Sequence, residues 1–271
     1  MDSTVLTAAA FGDQPGCWPL PPAQTPEQLW LRAVAAAGQG RYGSARTDLA
    51  ALRRLEFAGA LASLSLSAEA SLLRQLGGHR PAAGWDGRAL ALAEAAGEGP
   101  LVVQARADAL VGLAADALGV GRLAASARLL ERAADVTNGD QASPPRLAIR
   151  LAWVSAELAM AAGRGEDAVS HARHGVEIAE RSLPDLRRHR VKSDVVLAAA
   201  LCCAGSLEHA RAVADAALRD TQVHGLVPLR WALACLLVDI GSATLTSQQV
   251  SAIRDDCAGV ITRRGGRWSA R

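Results

Sequence analysis

Ala198-Ala199-Ala200-Leu201-Cys202-Cys203-Ala204-Gly205-Ser206-Leu207-Glu208-His209-Ala210 carries the pattern that decides the fold. Ala198 precedes Gly205 by seven positions, and Ala210 follows it by five. The same spacing recurs at Ala33-Gly40-Ala45, Ala70-Gly77-Ala82, Ala114-Gly121-Ser126, Ala156-Gly163-Ala168 and, less closely, Ala234-Gly241-Thr246. Successive glycines are 37, 44, 42, 42 and 36 residues apart. A period in that range marks a chain built of repeated helical hairpins. Short side chains let helices approach closely, and a glycine past a helix end takes the left-handed conformation without a Cβ penalty.

Composition supports an all-α reading. Half of the 271 residues are hydrophobic but only 3% are aromatic, and alanine alone supplies about a fifth of the chain. Alanine is the best helix former and has no side-chain entropy to lose. The net charge of +2 is too small to indicate a general nucleic-acid binder. Lys192 is the only lysine, and the arginine bias with the alanine excess fits a high-GC genome such as an actinobacterial one. The five cysteines show no paired spacing, which predicts reduced thiols. No signal peptide and no apolar stretch of bilayer-spanning length is apparent, so a cytoplasmic protein without membrane contact is expected.

Prolines 26, 81, 100, 145, 184 and 228 fall at helix boundaries rather than helix interiors. Thr25-Pro26-Glu27-Gln28 reads as an N-cap, a proline at the first helical position and a capping-box Gln. The predicted pairs are about 26–39 with 42–56, 58–76 with 82–96, 101–118 with 122–137, 145–162 with 166–181, 186–204 with 207–221, and 228–240 with 247–261. Residues 138–145 read as a loop. Residues 1–25, rich in Gly and Pro, read as a flexible N-terminal segment, 26–262 as the repeat domain, and 263–271 as a basic C-terminal tail.

With these residues in place the chain resembles the tetratricopeptide (TPR) repeat superfamily, a likeness carried by the six triplets. Gly40-Arg41-Tyr42-Gly43-Ser44-Ala45 and Gly205-Ser206-Leu207-Glu208-His209-Ala210 are most like that family's turn between its two helices. Units of the family are 34 residues long; those here average near 40, and Leu and Ala replace most of the expected aromatics. The resemblance implies a right-handed α-solenoid of about six antiparallel hairpins, with the first helix of each lining a concave face.

Ten residues before each glycine stand Trp30, Ser67, Val111, Trp153, Val195 and Trp231, so half of the six tryptophans share one register position. Placed by the resemblance, that position and its neighbours describe a partner-binding groove of Trp30, Asp108, Val111, Arg150, Trp153, Glu157, Lys192, Val195 and Trp231. The same tryptophans fit equally a core between hairpins. Arg146, Arg187, Arg188, Arg190 and Arg230 crowd the opening turns of the later first helices, where the helix dipole disfavours cations. An anionic ligand there is one reading; a solvated arginine face balanced by acidic neighbours is the other.

No GxSxG, P-loop, dinucleotide-binding or HExxH motif occurs, and His171 and His174 have no further ligands at a familiar metal spacing. The expectation is therefore a non-enzymatic protein with neither cofactor nor metal. Its role would be a scaffold or adaptor holding a peptide or protein segment in the groove. The alternative is a ligand-sensing or transcription-linked regulatory module with an anionic ligand at the arginines. Direct nucleic-acid binding is weakly supported, and the last hairpin offers a surface for homodimerisation.

Overall fold

A computed structural model describes residues 2–138 and 143–269. Thirteen α-helices and no strand occur among the described residues. They are α1 (Asp2–Phe11), α2 (Pro26–Gly38), α3 (Tyr42–Leu55), α4 (Gly59–Arg74), α5 (His79–Ala95), α6 (Pro100–Gly119), α7 (Leu123–Asn138), α8 (Pro145–Ala161), α9 (Gly165–Arg181), α10 (Arg187–Cys203), α11 (Leu207–Val223), α12 (Val227–Ile240) and α13 (Ser247–Arg263). The expected loop at 138–145 falls partly on residues 139–142, which lie outside the described residues.

The repeated triplets explain how helices α2 to α13 pair. All six glycines adopt positive φ, from 72° to 86°. After five of them, the next N–H returns to a carbonyl five residues back: Arg41 to Ala36, Gly78 to Leu73, Arg122 to Ala117, Arg164 to Ala159 and Ser206 to Leu201. This is the glycine-terminated helix stop, in which a left-handed residue lets orphan carbonyls find donors. Gly241 lacks that return bond, and Thr246 is an exposed N-cap with a full capping box to Gln249 rather than a crossing residue. The other small members of the triplets are buried where paired helices cross.

Each first helix packs on its own partner and also on the next first helix. α2 touches α4, α4 touches α6, α6 touches α8, α8 touches α10 and α10 touches α12. The even-numbered helices therefore form a continuous inner wall. The architecture is helical-repeat-like and all-α, with helices packed in adjacent pairs.

Three regions differ from the sequence expectation. Within residues 1–25 lies α1, whose Leu6, Ala9 and Ala10 are buried against α2 and near α10. The turn-forming stretch behind it is also anchored: the Gln39 amide donates to the carbonyls of Pro15 at 3.0 Å and Cys17 at 2.9 Å. The C-terminal tail returns to the first two helical pairs. The Gly43 N–H donates to Arg264 O and the Ser269 N–H to Leu76 O, both at 2.8 Å, while Arg264 Nη1 donates to Gln39 O at 2.8 Å. Ile261 joins Tyr42, Ala45 and Leu49 in one buried cluster. End meets beginning through the C-terminal segment and the first turns of α12.

Candidate ligand cavity

Between the even-numbered helices lies a half-open cavity of about 870 Å³ lined by α2, α4, α6, α8, α10 and α12, together with Phe11 of α1. Ligand pockets commonly run from about 300 to 1,000 Å³ and are mostly apolar with a few placed polar groups. Eight of the nine expected groove residues line it: Trp30, Asp108, Val111, Arg150, Trp153, Glu157, Lys192 and Trp231. Val195 does not. α10 meets the cavity through its first turns, at Arg188, His189 and Lys192, and Val195 packs instead against the α11–α12 cluster.

The tryptophans serve both core and cavity. Trp30 is buried, 5.3 Å from the Phe11 ring, and still presents a face to the cavity. Trp153 donates its indole N–H to Ser193 Oγ at 2.9 Å, which fixes the ring, and it stacks on His189 at 5.5 Å. Trp231 packs on Trp268 of the tail at 4.5 Å, so the tail covers one of its faces.

Two buried ionic clusters stand in the walls. In the first, Arg74 donates through Nε to Asp116 Oδ1 at 2.8 Å and through Nη2 to Asp116 Oδ2 at 3.2 Å, and it also meets Asp86. His79 Nδ1 lies 3.5 Å from Asp116. Two glycines of α6 make room for it: a Cβ at Gly112 would lie 2.1 Å from Asp86 Oδ2, and one at Gly119 would lie 2.2 Å from His79 Nδ1. Burial raises the Asp86 pKa to about 7; Arg74 opposes that rise and Asp116 adds to it. The sequence reading missed this cluster, because its members sit on α4, α5 and α6. The available signal was a pair of glycines, 112 and 119, inside an alanine-rich helix near buried acids.

In the second cluster Asp108 is a counter-ion rather than a free selector. Arg146 clasps it with two bonds of 3.0 and 2.9 Å, and Arg150 meets the same carboxylate. Burial would raise its pKa, but Arg146 and Arg150 together hold it below the usual carboxylate value. Arg146 also lies over the rings of Phe11 and Trp30, at 5.0 and 5.9 Å. Lys192 pairs with Glu157 at 3.6 Å and sits 5.4 Å above Trp153.

The five arginines expected to gather as an anion site separate. Arg146 and Arg188 line the cavity. Arg187 pairs with Asp185 at 2.5 Å, Arg230 donates to Leu218 O at 3.0 Å, and neither they nor Arg190 line it. Successive residues of a helix point about 100° apart, so a run of arginines cannot share one face.

No group of His, Cys, Asp and Glu that could hold a metal ion occurs among the described residues, and no helix there is long and apolar enough to cross a membrane. Fold and cavity together define an all-α protein of helical-repeat-like packing with a ligand-sized interior. Comparison with protein-family models and with curated proteins finds no match.

Proposed function

We propose that this chain is a non-enzymatic binding protein, a divergent TPR-like array of six hairpins that takes its ligand inside the array. One observation carries this reading: an apolar cavity of ligand size bears Trp30, Trp153 and Trp231 together with a few placed charges. Large aromatic rings give contact area at low entropic cost, and isolated charges on apolar walls give orientation. The return of residues 261–269 to the first two pairs favours a small molecule or short segment over a long protein chain. The role is that of a ligand-responsive regulatory module more than of an open-groove scaffold, because a ligand held inside the array favours the conformation that surrounds it.

The test uses the uncharged fluorophore N-phenyl-1-naphthylamine. The native chain should bind it saturably, one per chain. Ala115→Trp fills the cavity from α6, and Ala232→Phe fills it from α12. At least one variant should keep native helicity and melting while weakening binding about ten-fold or more, since filling the space removes the apolar burial. Unsaturable binding by the native chain, or undiminished binding by both folded variants, refutes the cavity as the site.

A further inference from the structure

The ionic pairs around the cavity leave one cation over. Arg74, Arg146, Arg150, Arg188 and Lys192 line it. Arg74 meets Asp86 and Asp116, Arg146 and Arg150 share Asp108, and Lys192 meets Glu157. Arg188 is the lining cation that no carboxylate meets among the described residues. Its one hydrogen bond among those residues runs from Nη2 to Ala10 O at 3.4 Å, at the long end of the range.

Arg188 is nonetheless held in place. Its side chain lies across Gly38 of α2, where an added Cβ would come within 2.8 Å of Arg188 Cδ. Arg146 and Arg150 are close enough to repel it; burial first and these two charges next lower its pKa to about 10, so it stays charged at neutral pH. The adjoining His189 supplies no counter-charge. Burial and the same three arginines hold its pKa well below the ordinary histidine value, and its buried Nδ1 has no hydrogen-bond partner. Three guanidiniums thus face one carboxylate, Asp108, in a cavity whose other walls at this end are Phe11, Trp30 and Trp153. A buried charge without a partner is costly, and a cavity site that carries one is matched to a ligand of opposite sign.

Resting on the cavity reading above, we infer that the ligand is a small organic acid. Its single carboxylate would sit at Arg188 and the unused N–H edge of Arg150, and its apolar or aromatic body would lie against Trp153 and Trp30. Three guanidiniums against the one carboxylate of Asp108 leave this end of the cavity positive, which an anion offsets, and the walls of Phe11, Trp30 and Trp153 favour an anion with an apolar body over a bare phosphate. A planar carboxylate also suits the fork of a guanidinium.

The experiment displaces N-phenyl-1-naphthylamine from the full chain with 4-phenylbutyrate and with its uncharged isostere, 4-phenylbutyramide. The acid should displace about ten-fold or more better than the amide, the effect of one charge-assisted hydrogen bond. Arg188→Met keeps the aliphatic stem and should bring the two to equality; Arg188→Lys should restore part of the preference. If Arg188→Met melts early, Arg188→Gln makes the same comparison. Equal displacement by acid and amide in the native chain overturns this inference while reporter binding leaves the cavity reading standing. Failure of the reporter to bind overturns both. The tripeptide Ala-Val-Phe and its C-terminal amide complete the set: an acid preference seen with the tripeptide and absent from 4-phenylbutyrate overturns the assignment to a small acid.

Discussion

Gly112→Ala should destabilise the protein, although alanine is the better helix former. Gly112 lies within α6, where replacement by alanine at an open position would gain about 1 kcal/mol. Here the new Cβ would stand 2.1 Å from Asp86 Oδ2 and 2.5 Å from its Cγ. Asp86 is fully buried and held by Arg74, so it cannot step aside into solvent. Either the carboxylate leaves Arg74 or α5 and α6 separate. Overpacking costs about 1–3 kcal/mol and breaking a buried ion pair about 3–5 kcal/mol. After the propensity gain, a net loss of about 0–2 kcal/mol remains if the helices part and about 2–4 kcal/mol if the ion pair breaks. Urea unfolding followed by far-UV circular dichroism would measure it. The decisive control is the same substitution in an Asp86→Ala background, where the obstacle is gone and Gly112→Ala should become neutral or stabilising. A stabilisation of about 1 kcal/mol in the native background, the same as in the Asp86→Ala background, would refute the packing of Asp86 against α6.

Other outcomes follow from the same geometry. Gly163→Ala meets no atom within 4 Å but forces a Cβ onto a backbone at φ 72°, and should cost about 1–2 kcal/mol in urea titrations. Gly84→Ala, equally open but in the interior of α5, should instead stabilise by roughly 0.5–1 kcal/mol. Trp268→Ala removes the ring packed on Trp231 and should cost about 1 kcal/mol while raising acrylamide quenching of tryptophan emission. For pH, Asp86 keeps its proton to about 7 when folded, whereas an unfolded Asp ionises near 4. Its contribution to stability therefore falls as pH rises from about 4 to 7 and is flat above. His189 acts oppositely, losing stability as pH falls below about 6.5, because the unfolded chain takes up a proton that the folded one refuses. Asp86→Asn isolates the first effect: the stability of the native chain relative to the variant should decline across pH 4 to 7 by up to about 4 kcal/mol, and a constant difference would contradict it.

Much of the fold was readable because it rests on local chemistry. A glycine seven residues past a small residue marks both a left-handed helix stop and a crossing, and the observed helix ends from α2 to α13 fall within a few residues of those expected. The register that placed Trp30, Trp153 and Trp231 together worked for the same reason: one helix position repeated along a regular inner wall. It failed at Val195, where α10 turns its later half toward α12. Helix α1 was hidden by the glycines and prolines that follow it, although Val5, Leu6 and Ala8-Ala9-Ala10 offered an apolar helical run. Closure was not legible at all. Pairing of Gly43 with Arg264, and of Leu76 with Ser269, joins residues some two hundred positions apart through backbone groups that carry no sequence signal. The crowding of arginines in sequence did not carry into space, since Arg146 and Arg188 turn inward and Arg187, Arg190 and Arg230 do not.

The closed cavity is the claim on which the functional proposal stands, and amide hydrogen exchange of the intact chain tests it most directly. The N–H groups of Gly43 and Ser269 are bonded only where the C-terminal segment meets the first two helical pairs. With the array closed, both should exchange far more slowly than unprotected amides, and together, since one opening frees both. Exchange of both at unprotected rates, with the helix interiors still protected, would mean an open array with a groove in place of the cavity.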